Sequence, residues 1–279
     1  MPKLLAKAER PWALRLLPPF PAVANRVLSL VARDNIAASE IGAIIKIDPT
    51  FTAEILRVAN SALFGFRREI ASVEHAVTVL GLDRIKAMAS FIALNAMVKP
   101  VLKVEALRRV WIHSLVTALL TEELARASNC SFDVAYTAGM LHNLGSLGLM
   151  AAYPEEYRGM LEVTSECGFD QILTERDLFE IDHCAAGAYL AEEWNYPDAI
   201  IGAIATHHNT PGRVLDLSSL VRVSWRLADV LGFAAFPSEQ PLAYEKLIAL
   251  VPITRSSWIG SDSDAAKAEL ERRVAGMPK

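Results

Sequence analysis

Ala138-Gly139-Met140-Leu141-His142-Asn143-Leu144-Gly145 is the stretch whose reading decides the fold. Val134, Ala138 and Leu141 form an apolar stripe at helical spacing, so Asp133 to Leu144 reads as a buried helix. Gly145 suits the left-handed turn that ends such a helix. Ala138 and Gly139 are small enough to let a second backbone pack close. Two polar residues, His142 and Asn143, close this apolar segment. Burying them costs free energy unless each finds a partner.

Working outward, the neighbouring segments are helical too. Upstream, Val104 to Ala127 turns an inner face of Ala106, Val110, His113, Thr117, Leu120 and Leu124. Downstream, helices are predicted for Tyr153-Pro154 to Cys167, Gln171 to Phe179, and Asp182 to Trp194, the last with His183, Gly187, Leu190 and Trp194 on one face. Pro197 starts the helix Asp198 to His208, and Leu215 to Leu231 puts Ser218, Arg222, Trp225 and Asp229 on one face. The first half reads as helices over Ala22 to Ala32, Asn35 to Ile47, Phe51 to Leu63, Val73 to Leu80 and Arg84 to Val98. Ser72 and Asp83 serve as caps there, and Gly81 as a stop. Two tail helices, Pro241 to Val251 and Asp264 to Ala275, complete the chain. No segment alternates with a period of two, so the fold class is all-α. A break at Lys99-Pro100 divides an N-terminal helical half (1–100) from a second half (101–212), with 213–279 as a C-terminal helical extension packing on the latter.

The 279 residues are 52% hydrophobic, which is the composition of a globular chain with a large core. A net charge of −4 gives no general attraction to nucleic acid or anionic lipid. The Ser72 to Val98 pair loosely has the form of a helix-turn-helix. Its second helix, however, offers only Arg84 and Lys86 near its start and is too apolar to lie in a groove. Ala87 to Val98, the most apolar window, is too short to span a bilayer. Cys130, Cys167 and Cys184 are far apart with no CxxC pair, which fits reduced thiols in a cytoplasm, and no signal peptide is read. Cys184, beside His183, reads as a small buried thiol.

Of six histidines, His75 lies in the first turn of a capped helix and reads as ordinary surface chemistry. His113, His142, His183, His207 and His208 all lie in the second half, each on or beside the apolar face of a predicted helix, and Asp229 is a carboxylate on a later buried face. Taken singly, each histidine reads as a core residue bonded to a carbonyl. Together, in one half of an all-α chain, they are better explained by a shared site. Imidazole and carboxylate are ligands for zinc, iron or manganese, and a helix bundle can converge them.

The order His113, His142-Asn143, His183, His207-His208, Asp229 resembles the metal-ligand order of the HD phosphohydrolase superfamily, especially its HD-GYP branch. Leu17-Pro18-Pro19-Phe20-Pro21-Ala22-Val23, Asp48-Pro49, the run Leu56 to Gly65 around Ala59-Asn60-Ser61, Ser72-Val73-Glu74-His75-Ala76 and Leu80-Gly81 resemble signature segments of the HDOD domain. That resemblance implies an HD-superfamily helical bundle with an N-terminal helical subdomain. It also implies a bacterial signal-transduction output module that binds a signalling protein or a small nucleotide-type ligand.

The sequence departs from the enzymes of that superfamily. Asn143 stands where their bridging aspartate would be, Ser146 where their lysine would be, and Asn209-Thr210-Pro211-Gly212 follows the double histidine in place of a GYP motif. A neutral amide bridges two cations poorly. The expectation is therefore a metal set of His113, Asn143, His142, His183, His207, His208 and Asp229 that retains one divalent ion without catalysis. The rival is a metal-dependent phosphohydrolase with a degenerate site. Arg57, Asn60 and Ser61 are interaction candidates, with helix-end capping as the plainer alternative.

Overall fold

The computed structural model describes residues 9–17, 26–27, 37–60, 70–82, 84–86, 88–89, 105–211, 216–235, 242–251, 253–254, 257–260 and 262–275, and all regular structure among them is helical. The expected break at Lys99-Pro100, the Asp83 cap and Ser61 lie outside the described residues.

The first half contributes α1 (Ala38–Ile45), α2 (Pro49–Ala59) and α3 (Val73–Leu80). Ser72 caps α3 by accepting from the His75 N–H, and Gly81 ends it at φ +80°. Ile41, Ile45, Ile55, Val73, Val77 and Ile85 form a core of their own.

The second half begins with α4 (Glu105–Ala125), α5 (Phe132–Leu141) and α6 (Leu144–Ala152). There follow α7 (Pro154–Cys167), α8 (Gln171–Phe179), α9 (His183–Glu193), α10 (Asp198–Thr206) and α11 (Leu217–Ala228). A π turn (Asp229–Phe233), α12 (Tyr244–Ile248) and α13 (Ser263–Ala275) close the chain. Asp170, Asp182 and Asp216 cap α8, α9 and α11 through side-chain oxygens. α4 packs on α5 and α11, while α9 packs on α6 and α10, around one large core. The inner face expected on α4 is buried at Val110, His113, Thr117, Leu120 and Leu124. Leu247, Ala266 and Leu270 bring the tail helices into that core. Ala13, Leu14 and Leu17, early in the chain, pack there as well. No helix of the described residues is long and apolar enough to cross a membrane.

The opening stretch differs from its sequence reading. The helix stops at Leu141, His142 and Asn143 form a turn, and a second helix starts at Leu144. Gly145 lies inside that second helix, and it is absent from the positive-φ glycines, which among the described residues are Gly81, Gly168 and Gly232. Its role is close approach: a Cβ there would meet the His183 carbonyl oxygen at 1.9 Å and the Gly187 nitrogen at 2.5 Å.

Among the described residues, cations join the halves: Arg10 pairs with Glu193 at 2.9 Å, and two more lie further along. Arg84 pairs with Glu122 on α4 and, at 2.7 Å, with Asp133 on α5. Lys86, 4% exposed, donates to the Asn195 carbonyl at 2.9 Å and lies 4.1 Å from the Tyr196 ring centre.

Candidate metal centre

Helices α4, α5, α9 and α10 deliver the histidines to one place. His113 comes from the middle of α4, His142 from the end of α5, His183 from the first position of α9, and His207 and His208 from the residues just past α10. Two adjacent histidines on a continuous helix would diverge by about 100°, the turn per residue of a 3.6-residue repeat. Here α10 ends at Thr206, His207 keeps helical dihedrals at the C-cap, and both rings still reach His183. That end is held from α11: Arg222 donates to the Thr206 carbonyl, Trp225 to the His207 carbonyl, and Arg226 to the carbonyls of His207 and His208. Cationic donors at a helix C-terminus also oppose its dipole.

The rings form a chain of contacts. His113 and His142 have centroids 5.2 Å apart, His142 and His207 5.1 Å, and His207 and His208 4.5 Å. Trp225 tilts against His208 at 4.8 Å. The π turn presents the Phe233 carbonyl, 3.0 Å from His113 Nδ1, and an Asp229 oxygen 3.5 Å from the same atom. His142 Nδ1 lies 2.7 Å from the Gly139 carbonyl, His207 Nδ1 2.7 Å from that of Ile204, and His183 Nδ1 2.6 Å from a Glu175 oxygen. An acceptor at Nδ1 of His113, His142 and His207 assigns the proton there and leaves their Nε2 atoms bare.

Three Nε2 atoms converge. His183 Nε2 is 3.2 Å from His207 Nε2 and 3.0 Å from His208 Nε2. Nitrogen ligands at ~2.05 Å in a tetrahedron stand about 3.3 Å apart, close to both distances from His183 Nε2. Ring nitrogens this close share either a proton or a metal cation. His183, Cys184, His207 and His208 together form a group whose ligand atoms lie within 4.8 Å of one another, and this group could hold a metal ion. Cys184 Sγ is 3.7 Å from His207 Nδ1, on the ring edge away from the converging nitrogens. The thiol expected as a plain buried residue therefore borders the group.

Electrostatics favour neutral imidazoles. Burial pushes His113 down to about 4 and His208 down to about 2. Burial and neighbouring histidines hold His142 and His207 well below the usual histidine value. His183 differs: burial opposes its charged form, but Glu175 and Cys184 together overcome this and raise it. Burial lifts Asp229 to about 7 against the pull of Arg226, and burial lowers Arg226 itself to about 10.

The six expected side chains His113, His142, His183, His207, His208 and Asp229 thus meet, in two groups. His183, His207 and His208 form a trio, with His113 and Asp229 on the far side of His142. Asn143 is buried at the N-cap of α6 and makes no capping hydrogen bond there. Asn60 lies in the other half. Its side chain bonds the Leu56 carbonyl and both backbone groups of Ile70, so it secures the end of α2. Arg57 is on that helix as well. Sequence reasoning missed Glu175, although Gln171, Glu175 and Phe179 share one face of α8 at four-residue spacing. It also missed the carbonyl-holding role of Arg222, Trp225 and Arg226.

Three solved structures similar to this chain share its fold. A candidate phosphohydrolase from Shewanella amazonensis SB2B superposes with a TM-score of 0.68 at 23% identity, covering 96% of this chain and 98% of its own. A candidate signal transduction protein from Marinobacter aquaeolei VT8 gives 0.66 at 23% identity, covering 93% of this chain and 58% of its own. An HDOD domain protein from Geobacter sulfurreducens gives 0.64 at 21% identity, covering 94% and 85%. An uncharacterized Treponema pallidum (strain Nichols) protein is 25% identical over 197 residues, which are 70% of this chain and 38% of the relative's length. Residues 17–210 match the HDOD domain, and the chain belongs to the HDOD domain family.

Proposed function

We propose that the chain is a bacterial, cytoplasmic signal-transduction output module that holds one divalent metal ion, zinc by preference over iron or manganese. It acts by binding a signalling protein or a small nucleotide-type ligand, not by catalysis. The convergence of the His183, His207 and His208 Nε2 atoms carries this reading. Three imidazoles with an open position suit zinc. The carboxylate nearest to adding a hard ligand is Asp229, and it lies beside His113. When bound, the ion supplies a Lewis-acid centre that ties the start of α9 to the end of α10.

The same geometry argues against hydrolysis. Asn143 carries no charge, so a second cation beside His113 and His142 would depend on Asp229 for balance. Burial favours the protonated, neutral form of that carboxylate. Two-metal phosphate chemistry needs both cations held. The test is phosphate release from nucleotides and cyclic di-GMP with zinc, manganese or iron(II). No turnover is expected. Turnover abolished by both His142→Ala and His208→Ala would establish the phosphohydrolase instead.

A further inference from the structure

We infer that Glu175 is the positioning carboxylate of the metal centre, fixing His183 and supplying from behind it the negative charge that Asn143 does not. The inference rests on the metal-centre reading above and extends it to a residue outside the ligand set.

Glu175 is fully buried, and it lies on α8, a helix that contributes no ligand. A buried carboxylate is costly unless its oxygens are satisfied. Both are. One oxygen accepts from the Tyr157 hydroxyl at 2.7 Å and from the Gln171 amide at 3.0 Å. The other accepts from the His183 backbone N–H at 2.7 Å and lies 2.6 Å from its ring Nδ1. The carboxylate thus ties α7 and α8 to the first residue of α9 and grips that residue at backbone and ring together. A ring held through Nδ1 presents Nε2 from its opposite edge, which is the edge facing His207 and His208.

The contrast among the histidines sharpens the assignment. His113, His142 and His207 are oriented by the backbone carbonyls of Phe233, Gly139 and Ile204. Among the described residues, His183 is the member of the trio hydrogen-bonded to a carboxylate. A carboxylate behind a ligating imidazole raises its basicity and fixes its tautomer. Glu175 therefore places a charge one ring away from the ion, where it strengthens the ligand without occupying a coordination position.

The experiment is zinc titration of the full chain, compared with Glu175→Gln and Tyr157→Phe, each also melted metal-free. Loss of such a partner weakens metal binding roughly 10–100-fold, and that is the loss expected for Glu175→Gln. Tyr157→Phe keeps the carboxylate and damages the same network. It should lower the melting temperature yet leave zinc affinity nearly unchanged. Equal affinity in wild type and Glu175→Gln, or equal losses in both variants, would overturn the assignment. Wild type that binds no zinc would overturn the metal centre and this inference with it. Should Glu175→Gln fail to fold, imidazole nitrogen NMR spectra of the wild type decide. His183 is expected to keep a protected Nδ1–H while zinc shifts its Nε2 resonance, and zinc on Nδ1 would refute the inference.

Discussion

Gly145 presses its backbone against the backbone of His183. A methyl group on Gly145 would lie 1.9 Å from the His183 carbonyl oxygen, closer than any real contact, so α6 and α9 cannot cross as they do with a larger residue. Gly145→Ala is expected to destabilise by at least the ~1–3 kcal/mol typical of overpacking, because backbone and not a flexible side chain must yield. Gly159, in the middle of α7, is the control, since a methyl there would meet nothing within 4 Å. Gly159→Ala should stabilise by about 0.5–1 kcal/mol. Urea denaturation of both variants checks the pair, and a harmless Gly145→Ala would contradict the crossing.

The metal-free protein should lose stability as the pH falls below the ordinary histidine value of about 6.5. His113, His142, His207 and His208 are all depressed by burial, so the unfolded chain takes up protons that the folded chain refuses until far lower pH. Asp229 opposes them: it is raised to about 7, so the folded state binds its proton first as pH falls. Four histidines against one carboxylate leave a net uptake on unfolding. Each net proton is worth roughly 1.4 kcal/mol per pH unit. His183, raised by Glu175 and Cys184, also opposes the loss near pH about 6.5 and adds no slope well below it, where both states carry its proton. Denaturation midpoints measured from about pH 7 to about pH 5 should therefore drop steeply. A flat profile would contradict the burial of neutral imidazoles.

Arg84 should be a main tie between the two cores. It is 14% exposed and pairs with Glu122 and Asp133 at once. Arg84→Ala leaves Glu122 without that cation and is expected to cost about 1–3 kcal/mol. Arg158, on the surface of α7 between Glu155 and Glu162, should be replaceable by alanine with little effect on the melting temperature. Equal effects of the two substitutions would contradict the role given to Arg84.

Much of this arrangement was legible in the sequence because its signals are local. The cap at Ser72, the stop at Gly81 and the inner face through Val110, His113, Thr117, Leu120 and Leu124 follow from spacing and turn chemistry. His142 and Asn143 were legible as buried polar residues. The turn they form was not, because apolar residues run on both sides of it and no proline marks the break. Gly145 read as a turn glycine because its actual constraint, the His183 carbonyl, lies 38 residues away in sequence. Glu175 escaped for another reason: Gln171 and Glu175 make the inward face of α8 partly polar, so the face did not read as buried.

Asn143→Asp should raise metal affinity, because it restores a charge without changing side-chain size at a buried position between α5 and α6. Titration with manganese should show the larger gain, since a carboxylate is the harder ligand. Unchanged or reduced affinity would mean that position 143 does not face the histidines.

The central claim is that His183, His207 and His208 hold one metal ion. Its most direct measurement is metal content, by elemental analysis of protein purified without added ions and again after equilibration with zinc. The account predicts close to one zinc per chain, lost in His183→Ala and in His208→Ala while both variants stay folded. A folded wild-type protein that remains metal-free after zinc exposure would contradict it.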